Sequence, residues 1–372
     1  MESTSRRLNQ KTTLASKAGR LLSYIVFISW ALITIIPLVW MFYSSFKSNE
    51  ELTRDIYALP HDLFDNMDDE YIVIPPALNV VLPYDPDVDT RERLIIESTT
   101  IAPTRRLMVH FLLKEELPAE LASLEVGDHL IISQLPAKMR RQINRKTMMF
   151  NYTSAFQRGG LGFKFVNSLI YASVSTFLIV LLGSMISFGI SKMQFKKLSA
   201  VVMTLIGLGY LISIPSLIIP LFLMMTSIGL TDTHIGIILV YTAFGLPLSV
   251  LLSTQFMRGL PNSLIESAYI DGATVFRTFW SIILPMTTPV IITISILSAL
   301  GIWNEFLLVL VLASSEITKS LPVGVYSFSS LTSTQLGWQL AALVIATVPA
   351  MIVYFTFNKR LTRGVVAGAV KG

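Results

Sequence analysis

The chain has 372 residues, 52% of them hydrophobic and only 14% charged, whereas soluble domains carry about 25% charged residues; a wholly water-soluble globular protein is excluded. The net charge of +5 is not gathered into a basic patch with interleaved aromatics, which argues against a nucleic-acid binder. Cysteine is absent and histidine occurs four times, which excludes disulfides and thiolate metal sites and leaves no metal centre to expect.

From the N-terminus, a basic segment of residues 1–20 (Arg6, Arg7, Lys11, Lys17, Arg20) precedes the charge-free run Leu21–Phe46. Crossing the hydrocarbon core takes about 20 apolar residues. The run is too long for the apolar part of a signal peptide and no small-residue cleavage site follows, so an uncleaved first span is expected over 21–46.

Residues 51–150 then hold 17 of the 24 acidic residues, which marks a soluble insert in a membrane body. Within 47–163 the insert occupies about 61–146. Stretches 71–82, 93–97, 105–113 and 128–134 read as strands, with Val126-Gly-Asp128 as a turn, so a small β-rich (α+β or barrel-like) domain is expected. Asp62, Asp65, Asp68 and Asp69 lack the EF-hand spacing and its glycine and read as a solvated acidic loop. His61, His110 and His129 form no triad or ligand spacing.

Further charge-free runs are Phe165–Ser191, Leu198–Thr231, Ile235–Met257, Thr278–Asn304 and Leu321–Asn358. They predict helices over 164–191, 199–226, 234–257, 280–312 and 337–358. The fold class expected is therefore an all-α membrane protein of six spans with one insert between the first and second. Pro215, Pro220 and Pro247 predict broken or kinked helices, which membrane proteins tolerate where backbone lines protein or a cavity.

Lys and Arg in short loops mark the cytoplasmic side. Lys192, Lys196 and Lys197 follow the second span, and Lys359, Arg360 and Arg363 lie in the tail 359–372. The alternate loops Thr226–His234 and Ala313–Gln335 contain only Lys319. Both termini are expected in the cytoplasm and the insert outside it.

The loop 258–279, with its continuation to Pro285, is the most informative part of the chain. Pro261 or Asn262 opens a helix, and Ser263 and Glu266 have capping-box spacing. Leu264, Ile265, Ala268 and Tyr269 make an apolar stripe, and Gly272 suits the left-handed residue that ends a helix. A second helix is expected from Ala273 into the next span, with Pro285 and Pro289 near its start. Two readings stay open on pattern alone: an interfacial connector with Glu266 as a cap, or a docking element lying at the membrane surface.

The string Glu266-Ser-Ala-x-x-Asp-Gly-Ala273, followed by Ile282-x-Leu-Pro285, resembles the EAA loop of binding-protein-dependent ABC permeases, with Ser267 for the first alanine. The carbohydrate-type branch is also similar at Pro37-Leu-x-Trp-Met, Ser44-Ser-Phe-Lys47, Asn151-Tyr, Phe165-x-Asn-Ser168, Trp303-Asn-Glu-Phe306 and Leu321-Pro-Val-Gly324. The ending Gly364-x-x-x-Gly-Ala-Val-Lys-Gly372 resembles the smaller six-span permease of maltose-type importers. The resemblance covers nearly all but residues 61–146. It implies the type I ABC importer permease fold in a bacterial cytoplasmic (inner) membrane. It also implies that Glu266, Ser267, Ala268, Asp271, Gly272, Ala273, Leu284 and Pro285 belong to a coupling loop. Glu266 would be the charged contact with a groove on an ATP-binding subunit, and Gly272 the close-approach turn. Gly368, Lys371 and Gly372 would lie near the ATPases, a frayed terminus being the alternative.

The implied partners are an ATP-binding subunit dimer, a second permease subunit, an extracytoplasmic substrate-binding protein, a sugar and membrane lipid. ATP and Mg would be bound by the ATPase subunit, with no cofactor on this chain. The chain has no G-x-x-x-x-G-K-[ST] sequence, so ATP hydrolysis is expected on another polypeptide and this subunit is expected to be non-catalytic. Tyr210, Tyr241, Phe244, Trp303, Asn304 and Glu305 are the candidates for sugar contact. The competing reading is that they pack helices or anchor at the interface. Rival classes are an intramembrane enzyme, for which Glu305 is the sole ionisable group within a span, and a secondary transporter, for which no internal repeat is visible. A same-family permease for a non-sugar solute, such as a phosphorylated polyol, stays open.

Overall fold

The computed structural model describes residues 14–47, 52–53, 55–60, 71–73, 95–96, 98–101, 105–107, 111–112, 129–131, 149–193, 195–328 and 336–369. The chain divides into two compact units, Met1–Asn151 and Tyr152–Gly372.

In the first unit, helix α1 (Leu14–Ser44) begins earlier than the apolar run predicts and contains Pro37. Phe27 and Trp30 on it are exposed, as suits a helix whose backbone satisfies itself in lipid. Its exit is pinned by polar groups. Lys47 Nζ donates to the carbonyls of Asp55 and Ile56 at 2.8 and 3.1 Å. Trp40 Nε1 also donates to Ile56 O at 3.0 Å. Asn151 Nδ2 donates to the carbonyls of Ser45 and Lys47, each at 2.8 Å. Short strands β1 (Tyr71–Val73), β2 (Ile95–Ile96), β3 (Ser98–Ile101), β4 (Arg105–Leu107), β5 (Phe111–Leu112) and β6 (His129–Ile131) follow. They pair antiparallel in the orders β4-β3-β1-β6 and β2-β5, with Tyr71 opposite both Thr100 and Ile131. The acidic stretch 62–69 and the turn at 126–128 lie outside the described residues.

The second unit is helical. A helix the sequence did not suggest, α2 (Phe150–Gly159), leads to α3 (Leu161–Lys192) through Gly160, whose φ of 59° is left-handed. Then come α4 (Lys196–Leu211), α5 (Ile214–Ser227), α6 (His234–Arg258), α7 (Ser263–Ile270) and α8 (Val275–Thr278). A π-helical segment (Phe279–Ile283) joins α8 to α9 (Leu284–Met286), followed by α10 (Thr288–Asn304), α11 (Leu307–Leu312), α12 (Leu321–Tyr326) and α13 (Leu336–Ala369). Among the described residues, Gly19–Ser44, Leu161–Lys192, His234–Arg258 and Leu336–Phe357 are each long and apolar enough to cross a membrane. The pairs α4 with α5 and Val275–Met286 with α10 bring the number to six if each bent pair is one span.

Some expectations hold and several are corrected. The break expected from Pro215 is present: the helix over 199–226 is interrupted at Ile212–Ser213 and bent by 104°, because Pro215 has no N–H to continue the ladder, whereas Pro220 lies inside α5. By contrast, α6 runs on through Pro247. The helix expected over 280–312 is divided into the end of the Val275–Met286 segment, α10 and α11: Thr287 marks a 76° bend between Pro285 and Pro289. Beyond Asn304, Glu305 is extended at ψ 133°. The last helix does not stop at 358 but reaches Ala369, since no proline intervenes and alanine, leucine and basic residues favour helix. Gly368 is therefore helical, and Lys371 and Gly372 lie outside the described residues.

Helices α3 and α6 pack along a seam of small residues. Ser187 Oγ donates to Val250 O at 3.1 Å and Ser249 Oγ to Ile179 O at 3.2 Å. At Gly183 an added Cβ would stand 2.2 Å from Ser249 Oγ and 2.9 Å from Ser249 Cβ. Close backbone approach of this kind lets dispersion and hydrogen bonds hold helices together in lipid.

Candidate functional site

The loop after α6 folds as a capped helix and a glycine turn on an apolar footing. Ile265 and Ala268 of α7 are buried, while Glu266, Ser267, Tyr269, Ile270, Asp271 and Gly272 face outward. Ile265 packs with Phe188 of α3, Met257 of α6, and Phe279 and Ile283 of the π segment. Three separate stretches of helix thus hold one face of α7.

The helix start differs from the expected capping box. The N-cap is Asn262, in a helical conformation with no side-chain cap, so Ser263 and Glu266 do not form the reciprocal pair. Asn262 Oδ1 is occupied otherwise, accepting from Lys192 Nζ at 2.9 Å, and the same ammonium donates to Leu260 O at 2.7 Å. In the sequence Lys192 marks only membrane sidedness; in the fold its tether to the loop joins the end of α3 to the start of α7. With Glu266 released from capping, its carboxylate stays on the exposed face.

The helix end is as expected. Gly272 has φ 74°, its N–H donates to Tyr269 O at 3.0 Å, and the N–H of Ala273 donates to Ala268 O at 2.9 Å. These two bonds are the Schellman motif, which satisfies carbonyls the helix leaves open. The second helix starts at Val275 rather than Ala273, because Thr274 caps it: its Oγ1 accepts from Arg277 N at 3.3 Å. Leu284 and Pro285 lie in α9, whose Thr287 Oγ1 donates back to Leu284 O at 2.9 Å.

A second polar constellation gathers toward the opposite end of α3, roughly 32 to 42 Å from Lys192 at about 1.5 Å per residue. Lys164, Asn167, Ser168 and Tyr171 share one face of α3, and all four hold the segment 316–321. Lys164 Nζ pairs with Glu316 Oε2 at 2.7 Å. Asn167 Nδ2 donates to Ile317 O and Lys319 O at 2.6 and 2.9 Å. Ser168 Oγ accepts from Leu321 N at 2.8 Å, and Tyr171 OH donates to Thr318 O at 2.7 Å. Because that donation commits Tyr171's single proton, its 2.9 Å contact with His234 Nδ1 calls for a proton on the imidazole nitrogen. Asp232, a non-glycine residue at φ 57°, closes the clasp. Its Oδ1 accepts from Ser314 N, Ser315 N and Ser315 Oγ at 3.0 Å each, and from Thr318 Oγ1.

Electrostatics follow from these partners. Burial alone would raise the Asp232 carboxyl, but the bonds from Thr318, Ser315 and Ser314 bring it below the ordinary aspartate value. Glu316 is likewise lowered, by the hydrogen bonds from Lys164 and Lys319. None of Asp232, Tyr171 or Lys164 was singled out from sequence. Apart from Glu316 with Lys319, the pairings join residues 63 to 153 positions apart, and only the Asn167-Ser168 dipeptide carried a signal.

The expected path residues do not form one cluster. Tyr241 and Glu305 come together: Tyr241 OH donates to Glu305 Oε2 at 2.8 Å, while Glu305 Oε1 accepts from Leu308 N at 2.8 Å. This carboxylate thereby caps α11 at the break that ends α10. Phe244 packs at the margin of the cluster built on Tyr171, Tyr241 and Leu308. Trp303 belongs to another cluster, edge-on to Phe165 at 5.4 Å, with Nε1 donating to Ala346 O at 3.0 Å. Asn304 Nδ2 turns back to Leu300 O at 2.8 Å, and Tyr210 is 54% exposed on α4.

A sequence profile of the binding-protein-dependent transport system inner membrane component matches residues 179–367, just over half of the chain. The chain belongs to this family. The matched interval contains the whole of α7, the Gly272 turn and the bend at Thr287. The chain is 34% identical over 225 residues to the diacetylchitobiose uptake system permease protein of Streptomyces coelicolor, covering 59% of this chain and 74% of that protein. It is 33% identical over 229 residues to the trehalose transport system permease protein of Mycobacterium tuberculosis, covering 60% of this chain and 81% of that one. A chain from the crystal structure of a bacterial ABC transporter involved in the import of the acidic polysaccharide alginate shares its fold. The TM-score is 0.60 at 16% identity, covering 96% of this chain and 99% of that one.

Proposed function

We propose that this inner membrane component forms half of the translocation pathway of a binding-protein-dependent ABC importer for an oligosaccharide, and couples it to ATP hydrolysis on a separate subunit. The observation that carries the coupling is α7. It is a well-terminated helix with an exposed face of Glu266, Tyr269 and Ile270, whose buried face is locked onto α3, α6 and the π segment. An ATP-binding subunit that moves this face moves the three packed elements with it. Coupling requires one such element whose arrangement both sites bias.

In this reading the six apolar stretches are six spans, the basic residues at 192–197 and 359–363 place α7 and both termini in the cytoplasm, and the Asp232 clasp lies outside. The insert of residues 61–146 is then an extracytoplasmic β-rich domain that faces the substrate-binding protein or the second permease subunit. The subunit has no catalytic role; ATP and Mg belong to the partner. Glu305 serves the pathway through its hold on Tyr241 and α11 rather than as a free carboxylate. The saccharide class is supported by the diacetylchitobiose and trehalose relatives.

The reading is tested by reconstituting this chain with its second permease subunit, ATP-binding subunit and substrate-binding protein in proteoliposomes. ATP-dependent accumulation of a labelled di- or oligosaccharide is expected, with none when the ATP-binding subunit is omitted. Accumulation of glycerol phosphate in place of any saccharide would move the substrate to phosphorylated polyols. Accumulation without the ATP-binding subunit would make the chain a secondary transporter.

A further inference from the structure

The segment Val275–Met286 has two apolar faces, and the coupling role uses only one. Thr278, Phe279 and Ile283 point inward and are buried at 0%, 3% and 0% exposure. On the outer side Phe276 is 67% exposed, and Val275, Trp280 and Met286 are also open, with Arg277 as the charged residue among them. Phe276 and Trp280, one helical turn apart, have their rings 5.9 Å between centroids. A surface helix bathed by water carries mostly polar residues on its outer face; here Arg277 and Ser281 are outnumbered by Val275, Phe276, Trp280 and Met286, an outer face suited to an apolar–polar boundary rather than to bulk water.

The direction of the segment supplies the second observation. It meets α10 at 76° through the single residue Thr287. If α10 crosses the bilayer, a helix at that angle to its end lies nearly flat along the bilayer boundary. Phe and Trp with an adjacent Arg are the side chains that settle at such a boundary, the rings among headgroups and upper acyl chains and the guanidinium toward lipid phosphates. The two prolines that flank Thr287, Pro285 and Pro289, hold the elbow in place of a straight helix.

We infer that the outer face of Val275–Met286 is a bilayer-contact surface, with Phe276 and Trp280 seated in the headgroup layer beside the start of α10. The partner is the lipid surface. Two polypeptide occupants compete, the ATP-binding subunit and the second permease subunit, and each gives a different result. The inference depends on α10 spanning the membrane and not on where α7 docks. Seated in this way, the segment holds the loop of α7 at a fixed height below the membrane.

The chain has no cysteine, so a single nitroxide can be attached at a chosen position with no native cysteine of this chain to remove. Phe276→Cys, Trp280→Cys, Glu266→Cys and Ile270→Cys are each labelled in the full chain, reconstituted with its second permease subunit in phosphatidylethanolamine and phosphatidylglycerol liposomes. Retained saccharide uptake of the complete transporter certifies the fold of Phe276→Cys and Trp280→Cys, and an unchanged melting temperature in detergent certifies that of Glu266→Cys and Ile270→Cys. Oxygen is expected to relax the label more than a water-soluble nickel chelate at 276 and 280, whether or not the ATP-binding subunit is added. The reverse is expected at 266 and 270. Chelate access at 276 and 280 equal to that at 266 overturns the inference. So does exclusion of both relaxing agents, either only after the ATP-binding subunit binds or throughout, since a protein partner would then cover the face. Loss of uptake by Phe276→Cys is resolved by the Trp280→Cys variant on the same face. If 270 also proves lipid-accessible, the coupling reading fails while the bilayer surface stands.

Discussion

Replacing Gly272 by proline is expected to lower uptake below about 1% of the native rate while the amount of chain in the membrane is unchanged. Gly272 sits at φ 74°, and proline is fixed near −65°. The substitution also removes the N–H that donates to Tyr269 O and displaces the Ala273 N–H from Ala268 O. A cost of about 3 kcal/mol for a misplaced proline corresponds to a more than hundredfold loss in the population of the native turn. The spans themselves are untouched, so insertion persists. Alanine separates conformation from crowding. No atom lies within 4 Å of a Cβ built there, so Gly272→Ala meets only the left-handed penalty of about 1 kcal/mol, and a partial loss of uptake is expected. Equal uptake by native and proline forms, measured beside an immunoblot of the membrane fraction, would show that the turn transmits nothing.

The second large effect lies in the seam between α3 and α6. Gly183→Leu is expected to destabilise the subunit by about 3 kcal/mol, at the upper end of the range for overpacked interiors, and to remove uptake together with thermal stability in detergent. The clash is with Ser249 Cβ at 2.9 Å as well as with its hydroxyl, so rotating Ser249 does not relieve it. Moving the helices apart would break the bonds from Ser187 to Val250 and from Ser249 to Ile179. A paired substitution makes the cause testable. Gly183→Ala is expected to lower the melting temperature and Ser249→Gly, in that background, to restore most of it, because the second change vacates the space the first one fills. A melting temperature that Gly183→Leu leaves unmoved would mean the two helices are not in contact as described.

The apolar runs made the spans visible in the sequence because a hydrocarbon solvent demands them continuously. What they hid were the interruptions. Leu198–Thr231 and Thr278–Asn304 contain no charge and show no interruption in hydropathy; Pro215 and Pro220 marked a break in the first, while Pro285 and Pro289 marked only a helix start in the second. Yet Ile212–Ser213 and Thr287 turn the backbone sharply, since a missing proline N–H is felt by hydrogen bonding and hardly at all by hydropathy. Gly272 was legible because one residue type suits a left-handed helix end. Ser263 and Glu266 misled because their spacing permits a capping box without requiring one, and Lys192 holds Asn262 in another arrangement. The clasp around Asp232 was not legible: its Oδ1 binds residues more than 80 positions away, and nothing in local pattern names a distant partner. For Tyr241 and Glu305, likewise, composition suggested polarity within a span but not that the two satisfy one another.

The proposed coupling requires a cytoplasmic face of α7 that an ATP-binding subunit covers. A single cysteine at Ile270, 86% exposed and unique in the otherwise cysteine-free chain, measures this with a membrane-impermeant maleimide. Labelling is expected in inside-out vesicles but not in right-side-out cells, with at least a tenfold decrease once the ATP-binding subunit is bound. Labelling from outside, or labelling that the bound subunit leaves unchanged, would contradict it.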